Sequence, residues 1–558
     1  MAMSGPRRAE VLAALSLAID IGLGQPMEHM LRSALIATRL ADRLGLDDTQ
    51  RGTAFYANLV AWIGCHADSH ELSRLFGDDI AFRADSYQVN WQGLPFLRLL
   101  ATHVGQGEGP LDRGLKAAAF FVNAKGRLSD LIHSHCASAS RLADRLGLGD
   151  PVRDALVFTF ERYDGSGLPS GRAGDDIPIE MRVVHLAEVA EVFLRQDGTD
   201  AAVSMAKARS GSHFDPTVVE AFESTDLQGL LDDDVWTAAL RQAPDSDRTL
   251  NEQELDDLLI AIGDFADLKC PFTIGHSRGV AELAAEAARG CGLSESDIRL
   301  VRRAALVHDL GRMGVPNTLW EKPGPLSEAE WERVRLHPYL TGRILRRVPG
   351  LEQVATIAAA HHERLDGSGY PLGAAGAALA PLSRLLGAAD TYHALTEVRP
   401  HRGPHSPDKA AEILRCQARE SRLDAQAVEA VLRAAGHPVR QRRAFPAGLT
   451  GREVEVLRLV AAGRSNRDIA CCPSARRPSA TTWSTSTPRS ASPTAPVPAS
   501  SRWNTASPAP SRPSSRRRWG ERPMRPAPGT GEARSRRKPA GGAAPRRSSF
   551  GYRKEPSP

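Results

Sequence analysis

The chain has 558 residues, 42% hydrophobic and only 5% aromatic, enough for a sizeable aliphatic core and roughly three or four domains. Its formal charge of +5 is split: residues 471–558 carry 18 Lys+Arg and 3 Asp+Glu, a net of +15, which leaves −10 on the 470 residues before them. The acidic body therefore gives no charge argument for nucleic-acid binding. No run of about 18 apolar residues exists to span a membrane, and seven cysteines without CxxC or zinc-like spacing point to a reducing cytoplasm.

In chain order, the segment "VLAALSLAIDIGL" reads as an amphipathic helix interrupted by Asp20, not as a signal peptide. Residues 1–240 alternate helical patterns with short turns. Residues 241–253 read as a linker that ends in a helix start. Residues 254–440 form a second helical region, and 445–470 hold a short helical pair. Residues 471–558 are rich in Ser, Pro, Arg and Ala without periodicity, so they are expected to be disordered. The expected fold is all-α.

The two large regions repeat each other. Glu161–Glu188 lies over Glu363–Asp390 without a gap, with 12 of 28 positions identical, including the Asp-Gly-Ser-Gly block. Upstream, His29 pairs loosely with His276, and "LVAWIGC" falls on "LVHDLGR". An ancient duplication explains this pattern.

Only the second copy carries ligand-grade chemistry. His276, His308, Asp309, His337, His361, His362 and Asp390 fall at helix ends or on apolar helices. An unpaired carboxylate or imidazole there costs several kcal/mol, roughly. A divalent cation removes that cost, and the mixture of imidazole and carboxylate suits Fe, Mn, Zn or Co rather than Mg alone. Asp309, beside His308, could bridge two ions, and a two-metal centre activates water and clamps phosphate. His393, one turn from Asp390, is placed to support the site; His401, His405 and His437 read as surface or turn residues.

"HDLGRMGVP", "LHPYLTGRIL", "HHERLDGSGYP" and "AADTYHALTEVRPHR", in this order, resemble the HD-GYP group of the HD phosphohydrolase superfamily over residues 254–440. The resemblance implies an all-helical fold, a two- or three-metal centre and phosphodiester hydrolysis; with the internal repeat, two HD-type helical domains in tandem are expected. The implied substrate is cyclic di-GMP or a related nucleotide or phosphoester, and a homodimer is left open. It assigns His308 and Asp309 as the HD pair, with His276, His337, His361, His362 and Asp390 completing the metal set. Gly369, Tyr370 and Pro371 are the signature turn. Asp309 and Arg312 are the expected catalytic residues, with Arg312, Tyr370, Arg399 and Arg402 toward substrate. The sequence departs from the family twice. Arg312 stands where Lys is frequent, and Phe272 stands where trinuclear members carry Glu. Two divalent ions, Fe or Mn, are therefore expected.

In the first copy Ala61 and Trp62 replace His308 and Asp309, Thr159 and Phe160 replace His361 and His362, and Glu188 replaces Asp390. Only His29 is left as a ligand by this reading, so residues 1–240 are expected to be a degenerate domain.

"LTGREVEVLRLVAAGRSNRDIA" resembles the start of a LuxR-type helix-turn-helix, with a Thr450–Glu453 capping box and Gly463 as a helix stop. No recognition helix follows. A frame change after about residue 470 explains this, because a shifted reading from Ser474 onward can restore a LuxR-like remainder. The alternative function is thus a LuxR-type regulator that senses a nucleotide. DNA binding belonged to the unshifted ancestor and is doubtful in this chain.

Overall fold

The computed structural model describes residues 5–227, 229–231, 234–438 and 451–464. Among these the fold is all-α; no strand forms, only isolated bridges such as Arg7 with Thr249. Ala- and Leu-rich segments supply the helices, and short polar residues start them. Asn251 accepts from Glu254 N at 2.9 Å while Glu254 reaches back to Asn251 N, a reciprocal cap for the helix Glu252–Asp267. Ser327 and Glu330 cap Glu328–Arg335 in the same way.

Residues up to Ala444 form one compact unit. In its first half, His29–Arg43, Asp48–Val60 and Ile179–Asp197 pack together; in its second, His276–Gly290, Glu295–Val307, Glu352–Ala358 and Pro381–Thr396 do. The helices Ser69–Phe76, Asp79–Ser86, Gly93–His103 and Pro110–Val122 add a smaller core in which Phe76 stacks on Phe82 at 4.0 Å.

The halves are clamped together. The helix Arg8–Gly22 packs on both, touching Leu310–Gly314 and His337–Leu345 of the second half. It is therefore buried on nearly every face rather than amphipathic, because it is a wall shared by two cores. Asp20 survives there because its carboxylate accepts from Met30 N at 3.0 Å, tying down the next helix start. Asp79 is a second clamp. It is fully buried, accepts from Arg83 Nη1 at 2.7 Å and Asn317 N at 2.8 Å, and lies 3.3 Å from Lys269 Nζ. The expected linker is also packed: Leu250 is buried, and Asp245 pairs with Arg8 and Tyr56.

Several local contacts occur in both halves. Asp20 caps Met30 as Asp267 caps Ser277, whose N lies 2.9 Å from Asp267 Oδ2. Glu161 accepts from Ser170 N and Arg172 N, and Glu363 from Leu372 N and Ala374 N. A Cβ on Gly64 would meet His135 O at 2.3 Å, and one on Gly311 would meet His337 O at 2.0 Å. Each glycine lets a turn lie directly on a histidine-bearing helix.

Of the expected helix-turn-helix, the helix Gly451–Ala461 is present, and Gly463 (φ +70) follows it. Thr450, the second helix and residues 471–558 lie outside the described residues.

Candidate metal centre

The seven residues singled out by sequence come together in one cluster, buried except for half-buried His362. His308 follows Glu295–Val307, and Asp309 opens the 3-10 turn Leu310–Gly314. His337 starts the helix His337–Leu345, where Pro338 needs no amide partner. His361 and His362 follow Glu352–Ala358, and Asp390 sits in Pro381–Thr396. Thr341 links two of these elements: its Oγ1 donates to His308 O and accepts from Gly311 N, both at 2.9 Å.

Three histidines are held in one tautomer. The Nδ1–H groups of His308, His337 and His361 donate to the carbonyls of Ala305 (2.6 Å), Val334 (2.7 Å) and Ala358 (2.7 Å). Their Nε2 lone pairs are left to face the centre. His308 Nε2 is buried with no hydrogen-bond partner, as expected of an atom made for a cation rather than for protein.

Asp309 divides this set. Its Oδ1 lies 3.5 Å from His337 Nε2 and 3.7 Å from His361 Nε2, while Oδ2 lies 3.6 Å from His308 Nε2 and 4.0 Å from His276 Nε2. Asp390 Oδ1 is 3.2 Å from His276 Nε2 and 3.8 Å from His308 Nε2, and its Oδ2 is 3.7 Å from His362 Nδ1. Ligand atoms about 2.1 Å from a shared ion lie roughly 3–3.5 Å apart. Among the described residues, the groups close enough to share a cation are His276, His308 and Asp390; His308, Asp309 and His361; His337, His361 and His362; and His276, His393 and Glu397.

The electrostatics suit positive charge. Burial pushes His337 down to about 4 and His361 to about 3, so both present neutral lone pairs. Burial alone would raise Asp309 and Asp390, but the neighbouring histidines, with Arg312 beside Asp309, outweigh it and hold both well below the usual carboxylate range. Burial also works against a charged His276, yet hydrogen bonds to Asp390 and Glu397 raise it to about 9.

Arg312 is buried, donates to Asp309 Oδ2 at 2.9 Å and stacks 4.0 Å over Trp320. Tyr370 lies against His362, with ring centroids 4.8 Å apart. Arg399 donates to Glu397 at 2.6 Å. Arg402 spends its guanidinium on the carbonyls of Ala394, Leu395, Glu397 and Gly403, which leaves little for a phosphate. Phe272 brings no oxygen ligand from its side chain. Glu397, which sequence reasoning missed, stands 2.9 Å from His276 Nδ1 and orients that ring; His393 joins them, with Nδ1 3.2 Å from Glu397. The one signal for Glu397 was its position one turn after His393.

In the first half His135 Nε2 lies 3.0 Å from Ala61 O, against Gly64 as His337 lies against Gly311. Trp62 Nε1 donates to Glu188 Oε2 at 2.7 Å, and His29 pairs with Glu191.

The family model described as "HD domain" matches residues 125–218 and 261–427. The 3'3'-cGAMP-specific phosphodiesterase 3 of Vibrio cholerae is 31% identical over 413 residues, 73% of this chain and 90% of that protein. The cyclic di-GMP phosphodiesterase response regulator RpfG of Xanthomonas campestris is 35% identical over 156 residues, 28% of this chain and 41% of that protein. The crystal structure of a cyclic GMP-AMP-specific phosphodiesterase of Vibrio cholerae superposes with a TM-score of 0.54 at 27% identity, covering 78% of this chain and 98% of that one. The chain belongs to the HD-domain family.

Proposed function

We propose that the chain is a metal-dependent phosphodiesterase that opens a cyclic dinucleotide. The observation that carries this is the division of Asp309 between two sets of histidines. Two divalent ions, Fe or Mn, fit those sets; when bound they supply Lewis acidity for water and phosphate. The protein's own part is to fix the imidazole tautomers through the Ala305, Val334 and Ala358 carbonyls, and to hold a guanidinium beside the reacting phosphate through the Arg312–Trp320 stack. Hydrolysis adds water across one ring P–O bond. The water oxygen joins phosphorus, and the 3'-oxygen leaves with a proton to give a linear dinucleotide.

The hybrid 3'3'-cGAMP is our first substrate and cyclic di-GMP the second. One 3'3'-cGAMP-specific relative aligns over 73% of the chain, against 28% for the cyclic di-GMP relative RpfG. The recurring caps at Asp20 and Asp267 support reading residues 1–240 as a degenerate second copy. No helix among the described residues is long and apolar enough to cross a membrane, and the described cysteines are free, which favours a cytoplasmic setting. The test is turnover by the full chain of 3'3'-cGAMP against cyclic di-GMP in direct competition, followed by chromatography. Faster loss of 3'3'-cGAMP to a linear product supports the order given, and hydrolysis of neither ring refutes the reading.

A second reading concerns the C-terminus. The helix Gly451–Ala461 ending before Gly463 is what the LuxR-type resemblance requires first. We propose that the chain behind it is frame-shifted; sequencing codons 468–512 in independent isolates decides, and an intact frame there ends the idea.

A further inference from the structure

The first half contains a cavity of about 130 Å³ that is not part of the metal centre. It lies where Trp62 and Glu188 replace Asp309 and Asp390. Its walls are aromatic: Trp62 meets Phe160 edge-on at 5.2 Å, and Trp91 lies 5.8 Å from the same ring. A cavity of about 150 Å³ holds benzene, so the space suits a single ring.

An empty apolar void would need no further account, but this one has polar atoms without partners. Glu188 Oε1, Tyr87 Oη and His135 Nδ1 are buried in side chains that line the cavity and find no hydrogen bond in the protein. Each such atom has given up its hydrogen bond to water without gaining one from the protein. Trp62 holds the other Glu188 oxygen, so Oε1 is fixed in place. Burial raises Glu188 to about 8, which leaves it a neutral carboxyl able to donate at pH 7.

The cavity is also lined by a guanidinium that has no carboxylate partner among the described residues. Arg209 lines it and is 8% exposed. Among the described residues no carboxylate pairs with it, and burial together with the like charge of Arg162 works against its charged form. Its guanidinium lies 5.6 Å from the Phe193 ring centroid, a weak compensation. A buried cation without a partner favours an anionic ligand.

We propose that this cavity is a binding site for a small aromatic carboxylate, with the ring among Trp62, Trp91 and Phe160, the carboxylate at Arg209 and a ring hydroxyl served by Glu188 and Tyr87. Nothing in phosphodiester hydrolysis uses these groups. The degenerate half thus replaces a metal site with an organic-anion site.

Titration calorimetry of the full chain with 4-hydroxybenzoate tests this, with benzylamine as the probe of opposite charge. The expected result is one saturable site for 4-hydroxybenzoate and none for benzylamine. Arg209→Gln is expected to weaken binding at least about tenfold, and Arg209→Lys to retain most of it. Phe160→Trp, which fills the cavity instead of removing the charge, is expected to abolish binding by a second route. No saturable binding at millimolar concentration, equal binding of benzylamine, or binding indifferent to both Arg209→Gln and Phe160→Trp would overturn the proposal. Cyclic dinucleotide hydrolysis measured on the same samples reports on the metal centre independently.

Discussion

Arg312 Nη1 donates to Asp309 Oδ2 across 2.9 Å, and both side chains are buried. The departure from Lys at this position is therefore built in: Trp320 lies 4.0 Å under the guanidinium, a support that an ammonium on a flexible stem would use poorly. Replacing Arg312 by Ala is expected to lower kcat by on the order of 10²–10³-fold, the usual loss for a charge-stabilising donor. Arg312→Lys should fall between the two. Steady-state hydrolysis by the three proteins checks this, and an Ala variant as fast as the parent would remove Arg312 from the chemistry.

Much of this site was legible because the HD pair, the double histidine and the DGSGYP turn are contiguous in sequence. That Asp309 could bridge two ions was legible too; which histidines face each of its oxygens was not, since it depends on where four helix ends meet. Glu397 escaped because it follows the end of the Asp390 helix, in a segment that reads as a solvated turn. His135 escaped because the alignment upstream of Glu161 is loose, and only the close approach at Gly64 pairs it with His337. The residues read as a linker pack because Leu250 and Asp245 find partners on the first helices, a long-range contact invisible to local pattern.

The clamp at Asp79 should dominate cohesion between the halves. Asp79→Ala leaves Arg83 and Lys269 buried without their anion, at an expected cost of about 3–5 kcal/mol. Urea denaturation of the full chain measures it. A change below about 1 kcal/mol, the level of an exposed pair, would show that solvent reaches the cluster.

The same residue predicts an acid limb. Burial would raise Asp79, but Lys269 and Arg83 outweigh it and bring the carboxyl from 3.8 down to about 2. The folded state thus binds fewer protons than the unfolded one between these values. The contribution is complete above about pH 4 and is lost as pH falls through 2. Thermal melts from pH 2 to 5 should show a stability gap between parent and Asp79→Asn that closes toward the acid end.

Glu188 predicts the opposite slope. Its carboxyl is raised from 4.5 to about 8 by burial, so the folded state holds a proton that the unfolded state has released. Stability from this group is greatest below pH 4.5 and declines up to pH 8. Glu188→Gln keeps an acceptor for Trp62 Nε1 and removes the titration. Its melting temperature relative to the parent should be higher at pH 8 than at pH 5; a difference independent of pH would place Glu188 in contact with water.

Asp309 stands between His337 and His361 on one oxygen and His308 and His276 on the other, and the two-ion proposal turns on it. The most direct measurement is the Fe and Mn content of the full chain, purified without chelator, beside its Asp309→Ala variant and with hydrolysis assayed on both. We expect about two equivalents in the parent, with the variant losing at least one of them and all turnover. Undiminished metal in Asp309→Ala, or turnover by a parent that holds no metal, would contradict the account.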